Sequence, residues 1–291
     1  MRSMTMTNRF LVWGLAGAVR LVNSGCEERR EGLGGGTRSP VKVKLLTESG
    51  IGGTGGGEKV VEEVGEKITT FGTLSGKINV NGMPPNLPPL VAQGQQIKDA
   101  VCAQSAVPDE SVVVGPGNGL ANVFIYLRKI PNVDVPSAPS EEIVVDQVGC
   151  KFVPHALIAR VGQPLKLVNS DPVAHNVGIS GTAISFNQTI PANDKEGLTL
   201  VYNRAERTPA MTRCDFHGWM RAWQMAVDHP WAALTGEDGT FTIEGVPAGN
   251  MEFVVWHEKA GYIGGSSVKV TILADQTSQL DLQVDASQLA D

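Results

Sequence analysis

The stretch Cys214-Asp215-Phe216-His217-Gly218-Trp219-Met220 decides how this chain is read. It sets a thiolate, an imidazole and a thioether within seven residues. A second imidazole has a candidate about forty residues upstream, His175, in Asn169-Ser170-Asp171-Pro172-Val173-Ala174-His175-Asn176-Val177. Soft sulfur donors favour Cu(I), and imidazole suits both copper oxidation states. Two His and one Cys in a trigonal set, with a long weak bond to Met, therefore make a mononuclear copper site that passes one electron at a time. Zinc accepts Cys and His equally well but has no use for Met220, which tips the reading to copper.

The spacing serves the same chemistry. Cys214 can end one strand with its sulfur inward, and the short connection then carries His217 over the metal from the outer end of the protein. Met220 opens the next strand and points back. The residues that follow, Arg221 to Val227, read as that strand, with Trp223, Met225 and Val227 on a packed face. A lone Cys-x2-His is common by chance; a Met three residues later and a matching His loop upstream make the pattern specific.

The ligand loop resembles that of the cupredoxins, and its Cys-x2-His-x2-Met spacing is similar to that of the amicyanin group. The resemblance covers about residues 143 to 228. Phe152-Val153-Pro154 and the run from Ile158 to Asn169 look like that family's successive strands around a Gly turn. It implies His175, Cys214 and His217 as equatorial ligands, Met220 as axial ligand, and Asn176 bonding across to the ligand loop. It also implies that the edge of His217 reaches the surface, with Phe216 and Trp219 in an apolar docking patch for redox proteins. The alternative for Trp219 is that it covers the metal and packs on a neighbouring module. Phe216 departs from the proline common before the second His, and the chain continues well beyond the last strand of such a domain.

The remaining histidines, His155, His229 and His257, are read as structural; a second polar site near a domain junction is the alternative for the first two. All five histidines are isolated, so the His-x-His clusters of multicopper oxidases are missing, as is the Cys-x2-Cys-His of c-type haem. Neither a Ser-His-Asp pattern nor a carboxylate pair in convincing context is present, so the chain is expected not to be an enzyme.

The chain has 291 residues, 34 Gly, 17 Pro, 5% aromatic residues and a net charge of -6. The acidic balance argues against nucleic acid and anionic membrane surfaces as partners. Short Val/Thr/Ile runs between Gly and Pro turns predict an all-β fold. Residues 1 to 25 read as an export signal: Arg2 and Arg9 precede an apolar run from Phe10 to Val19, too short to span a bilayer. Small residues before Cys26 resemble a bacterial lipoprotein cleavage box, although Arg20 interrupts the apolar run and Asn23 replaces the usual aliphatic residue. The expected location is therefore the periplasm or envelope of a bacterium, with a lipid anchor at Cys26. Residues 26 to 66 are charged and Gly-rich and read as a tether. If Cys26 is lipidated and Cys214 binds copper, Cys102 and Cys150 remain as a pair, to form a disulfide in an oxidising compartment or to stand as two small buried thiols.

Beyond the ligand loop the rhythm changes. The runs Leu234 to Ile243, Val246 to Trp256 and Leu280 to Val284 alternate between Asp-Gly and Pro-Ala-Gly turns. They resemble the regulatory-like β-sandwich module found after carboxypeptidases, covering residues 229 to 291. Its opening strands are missing just upstream of residue 234. Candidates lie far before it, in residues 67 to 135: Gly72 to Gly82 and Gly119 to Leu127. A discontinuous second sandwich, with a Greek-key cupredoxin sandwich inserted in it, is therefore expected. The Pro-rich segment 83 to 117 has no periodicity and no assignment. The leading functional expectation is an exported blue-copper electron carrier; the alternative is a copper-holding or cell-surface binding module.

Overall fold

The computed structural model describes residues 66–290. The expected export signal, Cys26 and almost all of the expected tether lie outside the described residues. Among those residues the protein is all-β, with three short 3-10 helices. No helix there is long and apolar enough to cross a membrane.

The chain begins one sandwich with β1 (Phe71–Asn81) and β2 (Phe124–Leu127) and then leaves it. It builds a second with β3 (Ile143–Gln147), β4 (Phe152–Val153), β5 (Ala156–Arg160), β6 (Pro164–Leu167), β7 (His175–Ser180), β8 (Ser185–Ile190), β9 (Leu198–Val201), β10 (Ala210–Arg213) and β11 (Arg221–Val227). It then returns with β12 (Ala232–Leu234), β13 (Thr240–Pro247), β14 (Gly249–His257), β15 (Gly261–Tyr262), β16 (Val268–Ile272), β17 (Thr277–Gln279) and β18 (Leu282–Asp285). The return strands close on the first two. β1 pairs antiparallel with β13 and parallel with β17 and β18. β2 lies between β12 and β14. The strands after residue 230 thus find their missing partners more than one hundred residues upstream, across the inserted sandwich.

Local sequence explains these elements. β1 buries every second residue, the period of a half-buried strand. Leu74, Ile78 and Val80 from its inner face meet Ile125, Leu127, Phe253 and Val255 in an apolar core. Gly76 is required there: a Cβ would lie 1.9 Å from the Leu280 carbonyl oxygen, where the chain between β17 and β18 crosses β1. The inserted sandwich packs a sheet in the order β5-β11-β10-β7-β8 on one in the order β4-β3-β6-β9.

β11 joins the two halves. Its even residues Ala222 and Ala226 enter the core of the inserted sandwich. Its odd residues Met225 and Val227, with half-buried Trp223, face Phe124, Tyr126 and Val254 of the outer sandwich. The odd face therefore meets a packed layer, as its sequence pattern suggests, and that layer belongs to the other sandwich. Trp223 and Trp256 meet across this junction with ring centroids 4.8 Å apart.

Candidate metal centre

His175 opens β7 and Cys214 follows the last residue of β10, its antiparallel neighbour. The register pairs Arg213 with Gly178, so both chain ends reach the same end of the sheet. The Asn176 N–H points at Cys214 Sγ, 3.5 Å away. Arg213 pairs with Arg221, leaving residues 214–220 as a closed loop. The Cys214 N–H donates to the Met220 carbonyl at 3.2 Å, and the Met220 N–H donates to the His217 carbonyl at 2.9 Å. This turn carries His217 back over Cys214.

Three donor atoms converge. His175 Nδ1 and His217 Nδ1 are 2.8 Å apart, and Cys214 Sγ is 4.0 and 3.7 Å from them. A point equidistant from all three lies about 2.1 Å from each, close to ordinary metal–nitrogen and metal–sulfur bond lengths. All three residues are buried, His175 at 0% and His217 at 2% exposure. Met220 is buried in the same core as Cys214.

Both imidazoles have their outer nitrogens committed. His175 Nε2 bonds Asp171 Oδ2 at 2.9 Å, and His217 Nε2 bonds Asp99 Oδ2 at 3.0 Å. A carboxylate accepts, so each Nε2 carries the hydrogen. The two Nδ1 atoms then face each other at hydrogen-bond distance, an arrangement that needs a proton or a cation between them. This imidazole–carboxylate pattern accompanies metal-ligating histidines, where it fixes tautomer and ring orientation. The donor set and its geometry fit a single metal ion.

The electrostatics agree. Burial disfavours the Cys214 thiolate, but bonds from His175 and the Asn176 backbone outweigh it and hold the thiol below its ordinary range. Burial also opposes charge on His175; Asp171 and Cys214 overcome it and push the ring up to about 9. His217 is held below its ordinary value by burial, against the pull of Asp99, and is further discouraged by His175. At neutral pH the site thus presents one protonated ring, His175, and one neutral ring, His217, beside a thiol whose ionisation is favoured. His175 must give up its proton before Nδ1 can act as a ligand.

Asp171 is itself held by the turn between β3 and β4. Gly149 and Cys150 both have positive φ, 64° and 57°, and present successive N–H groups to its carboxylate at 2.7 Å each. Burial of Asp171 is opposed by His175 and these two amides, which keep it ionised below the usual carboxylate range. Asn176 ties β7 to the ligand loop: Asp215 N–H donates to its Oδ1 at 2.6 Å, and its Nδ2 donates to Asp215 Oδ2 at 3.2 Å.

Two features differ from the sequence reading. The edge of His217 does not reach the surface. Segment 83–117, which sequence patterning left unassigned, lies over it, with Asp99 on the ring and Trp219 5.1 Å from it, centroid to centroid. Trp219 packs against both the metal-side core and the small cluster Val91, Ala103 and Val107, and its Nε1 donates to the Cys150 carbonyl at 3.1 Å. Of the two flanking aromatics only Phe216 is well exposed, at 50%. The second difference is that Asp99 and Asp171 hold the outer nitrogens of the two rings, partners that no local sequence pattern marks. Cys102, three residues after Asp99, is the nearest sequence signal to the first, because its expected pairing with Cys150 is formed in the structure.

The other histidines stand apart from the three donors. His155 Nε2 bonds Glu258 Oε1, and both line a cavity of about 310 Å³ with Trp219 and Met220. His229 Nε2 donates to the Leu127 carbonyl at 3.0 Å, and its Nδ1 accepts from the Trp231 N–H at 3.2 Å. His257 Nδ1 accepts from the Lys259 N–H at 3.3 Å.

No family model matches the chain, and no curated protein matches it by sequence. Solved structures similar in part include amicyanin from Paracoccus versutus, at 17% identity over 35% of this chain and 97% of that one, with a TM-score of 0.27. A purple cupredoxin from Nitrosopumilus maritimus is 17% identical over 29% of this chain and 99% of its own, with a TM-score of 0.25. A copper-containing nitrite reductase from Thermus scotoductus is 16% identical over 32% of this chain, with a TM-score of 0.27. This chain spans only 27% of the length of that reductase.

Proposed function

We propose that this chain is an exported mononuclear copper protein that passes single electrons between redox proteins. His175, Cys214 and His217 would hold the ion, and Met220, buried in the same core, would supply a weaker thioether donor. The observation that carries the reading is the buried triangle of two Nδ1 atoms and one Sγ, with both Nε2 atoms locked on carboxylates. Copper held by such a set changes oxidation state with little rearrangement, because thiolate suits Cu(I) and imidazole suits both states.

Each residue has its part. Cys214 supplies the thiolate, stabilised by the Asn176 N–H and His175. Asp171 orients His175 and favours its bonding tautomer. The apolar core of the inserted sandwich, which contains Cys214 and Met220 together with Val177 and Ala222, would keep water from the donors. The disulfide between Cys102 and Cys150 supports an oxidising compartment such as the periplasm. A partner would dock beside Phe216, the exposed apolar residue of the ligand loop.

A second reading is favoured by one observation. His217 is covered, which suits a protein that holds copper rather than one that hands electrons through that ring. Copper-loaded protein on an electrode separates the two. Reversible voltammetry with fast exchange supports transfer; reduction that releases the ion supports holding. Cys214→Ser should abolish the intense visible copper–thiolate band while the apo chain stays folded. A wild type loaded with oxidised Cu(II) that lacks this band would overturn the transfer reading, and a wild type that binds no copper would overturn both.

A further inference from the structure

We propose that Asp99 is a positioning residue for His217 and that the segment carrying it, residues 83–117, is the strap that closes the centre. This rests on the copper reading above.

The strap is held over the ligand loop by independent contacts. Cys102 is bonded to Cys150, in the turn that also supports Asp171. Val91, Ala103 and Val107 form a small apolar cluster against Ile97 and Trp219. Leu90 and Val91 pair with Val107 through backbone bonds of 2.8 and 2.9 Å. Lys151 Nζ reaches Glu110 at 2.7 Å. A 3-10 turn, Ala100–Ala103, starts immediately after Asp99, so the carboxylate projects from a fixed point beside the disulfide.

That placement decides which nitrogen of His217 is bare. Asp99 Oδ2 accepts the Nε2 hydrogen at 3.0 Å, which leaves the Nδ1 lone pair facing His175 and Cys214. Without the carboxylate the ring can flip or change tautomer, and Nδ1 is no longer committed to the site. The His217 side chain is 3% exposed and that of Asp99 29%, so the strap also stands between the ring and solvent. Asp99 acts through His217 and is not itself a ligand.

The test uses long-range nitrogen–proton NMR on the apo chain together with the rate at which a Cu(I) chelator strips the loaded one. Wild type should show His217 as a single Nε2–H tautomer. D99A should mix the tautomers and release Cu(I) about 10- to 100-fold faster, the usual cost of removing such a partner. D99N keeps an oxygen acceptor and should restore the tautomer and most of the retention, which a merely structural role would not predict. C102S/C150S should speed release with Asp99 intact, because the strap is untied. Wild type with an Nδ1–H tautomer, or D99A releasing within twofold of wild type, would overturn the proposal. The wild-type tautomer keeps the test decisive if D99A fails to fold. A chain that binds no copper but shows the expected tautomers would sink the copper reading and leave the Asp99 contact standing.

Discussion

The two sandwiches are built on opposite terms. The outer one encloses an apolar core, from Leu74 and Ile78 to Phe253 and Val255, and buries fewer polar side chains, His229, Thr235, His257 and Ser278. The inserted one buries Gln147, Asn169, Asp171, His175, Asn176, Thr212, His217 and Gln224 as well as its apolar residues. Buried polar groups cost stability unless each is bonded. Here the bonds converge on one end of one sheet: Asp171 on the 149–150 turn, Asn176 on Asp215, Asn169 on the carbonyls of Val173 and Pro191. The outer sandwich and the disulfide can thus carry stability while the polar end of the insert holds a shape that suits chemistry.

The sharpest way to break that contrast is to damage the apolar half. Phe253→Ala opens a cavity at a fully buried site and should cost about 3 to 5 kcal/mol in urea unfolding, with copper stoichiometry unchanged wherever the chain is folded. Loss of copper binding in the folded variant would show that the halves are not separable in this way. Next comes the staple. Cys102 and Cys150 are 48 residues apart, and the double serine variant should lose about 4 kcal/mol by the same measurement.

The junction adds a pH dependence. Burial lowers His257 to about 4, below its ordinary 6.5. Between those values the unfolded chain binds a proton that the folded chain refuses, so stability should fall as pH drops from 6.5 to 4, by at most about 3 kcal/mol. Thermal unfolding across that range should show the slope, and His257→Gln should flatten it. The smallest effect belongs to the polar end: Asn176→Ala removes the bonds to Asp215 and should cost about 1 to 2 kcal/mol while broadening the copper–thiolate band.

Much of this arrangement is legible in the sequence because it is written locally. Cys214, His217 and Met220 sit in one loop, and the alternation in Phe71–Asn81 marks a half-buried strand. Asp-Gly at 238–239 and the Gly turn at 162 mark where strands end and the next begin. What stays illegible is carried by contacts without local pattern. Segment 83–117 has little regular structure beyond two 3-10 turns, and its order comes from Cys150, Trp219 and Lys151 far along the chain. The Asp99–His217 bond joins residues 118 apart, so neither periodicity nor propensity could announce it. The burial of His217 is illegible for the same reason: a cover built from distant sequence leaves no mark on the ligand loop.

The most direct test of the central claim is X-ray absorption at the copper edge, on the loaded wild type and on Cys214→Ser. One ion per chain with two nitrogen neighbours and one short sulfur neighbour, the sulfur vanishing in the variant, is the predicted result. A spectrum of nitrogen and oxygen neighbours alone, or one that Cys214→Ser leaves unchanged, would contradict it.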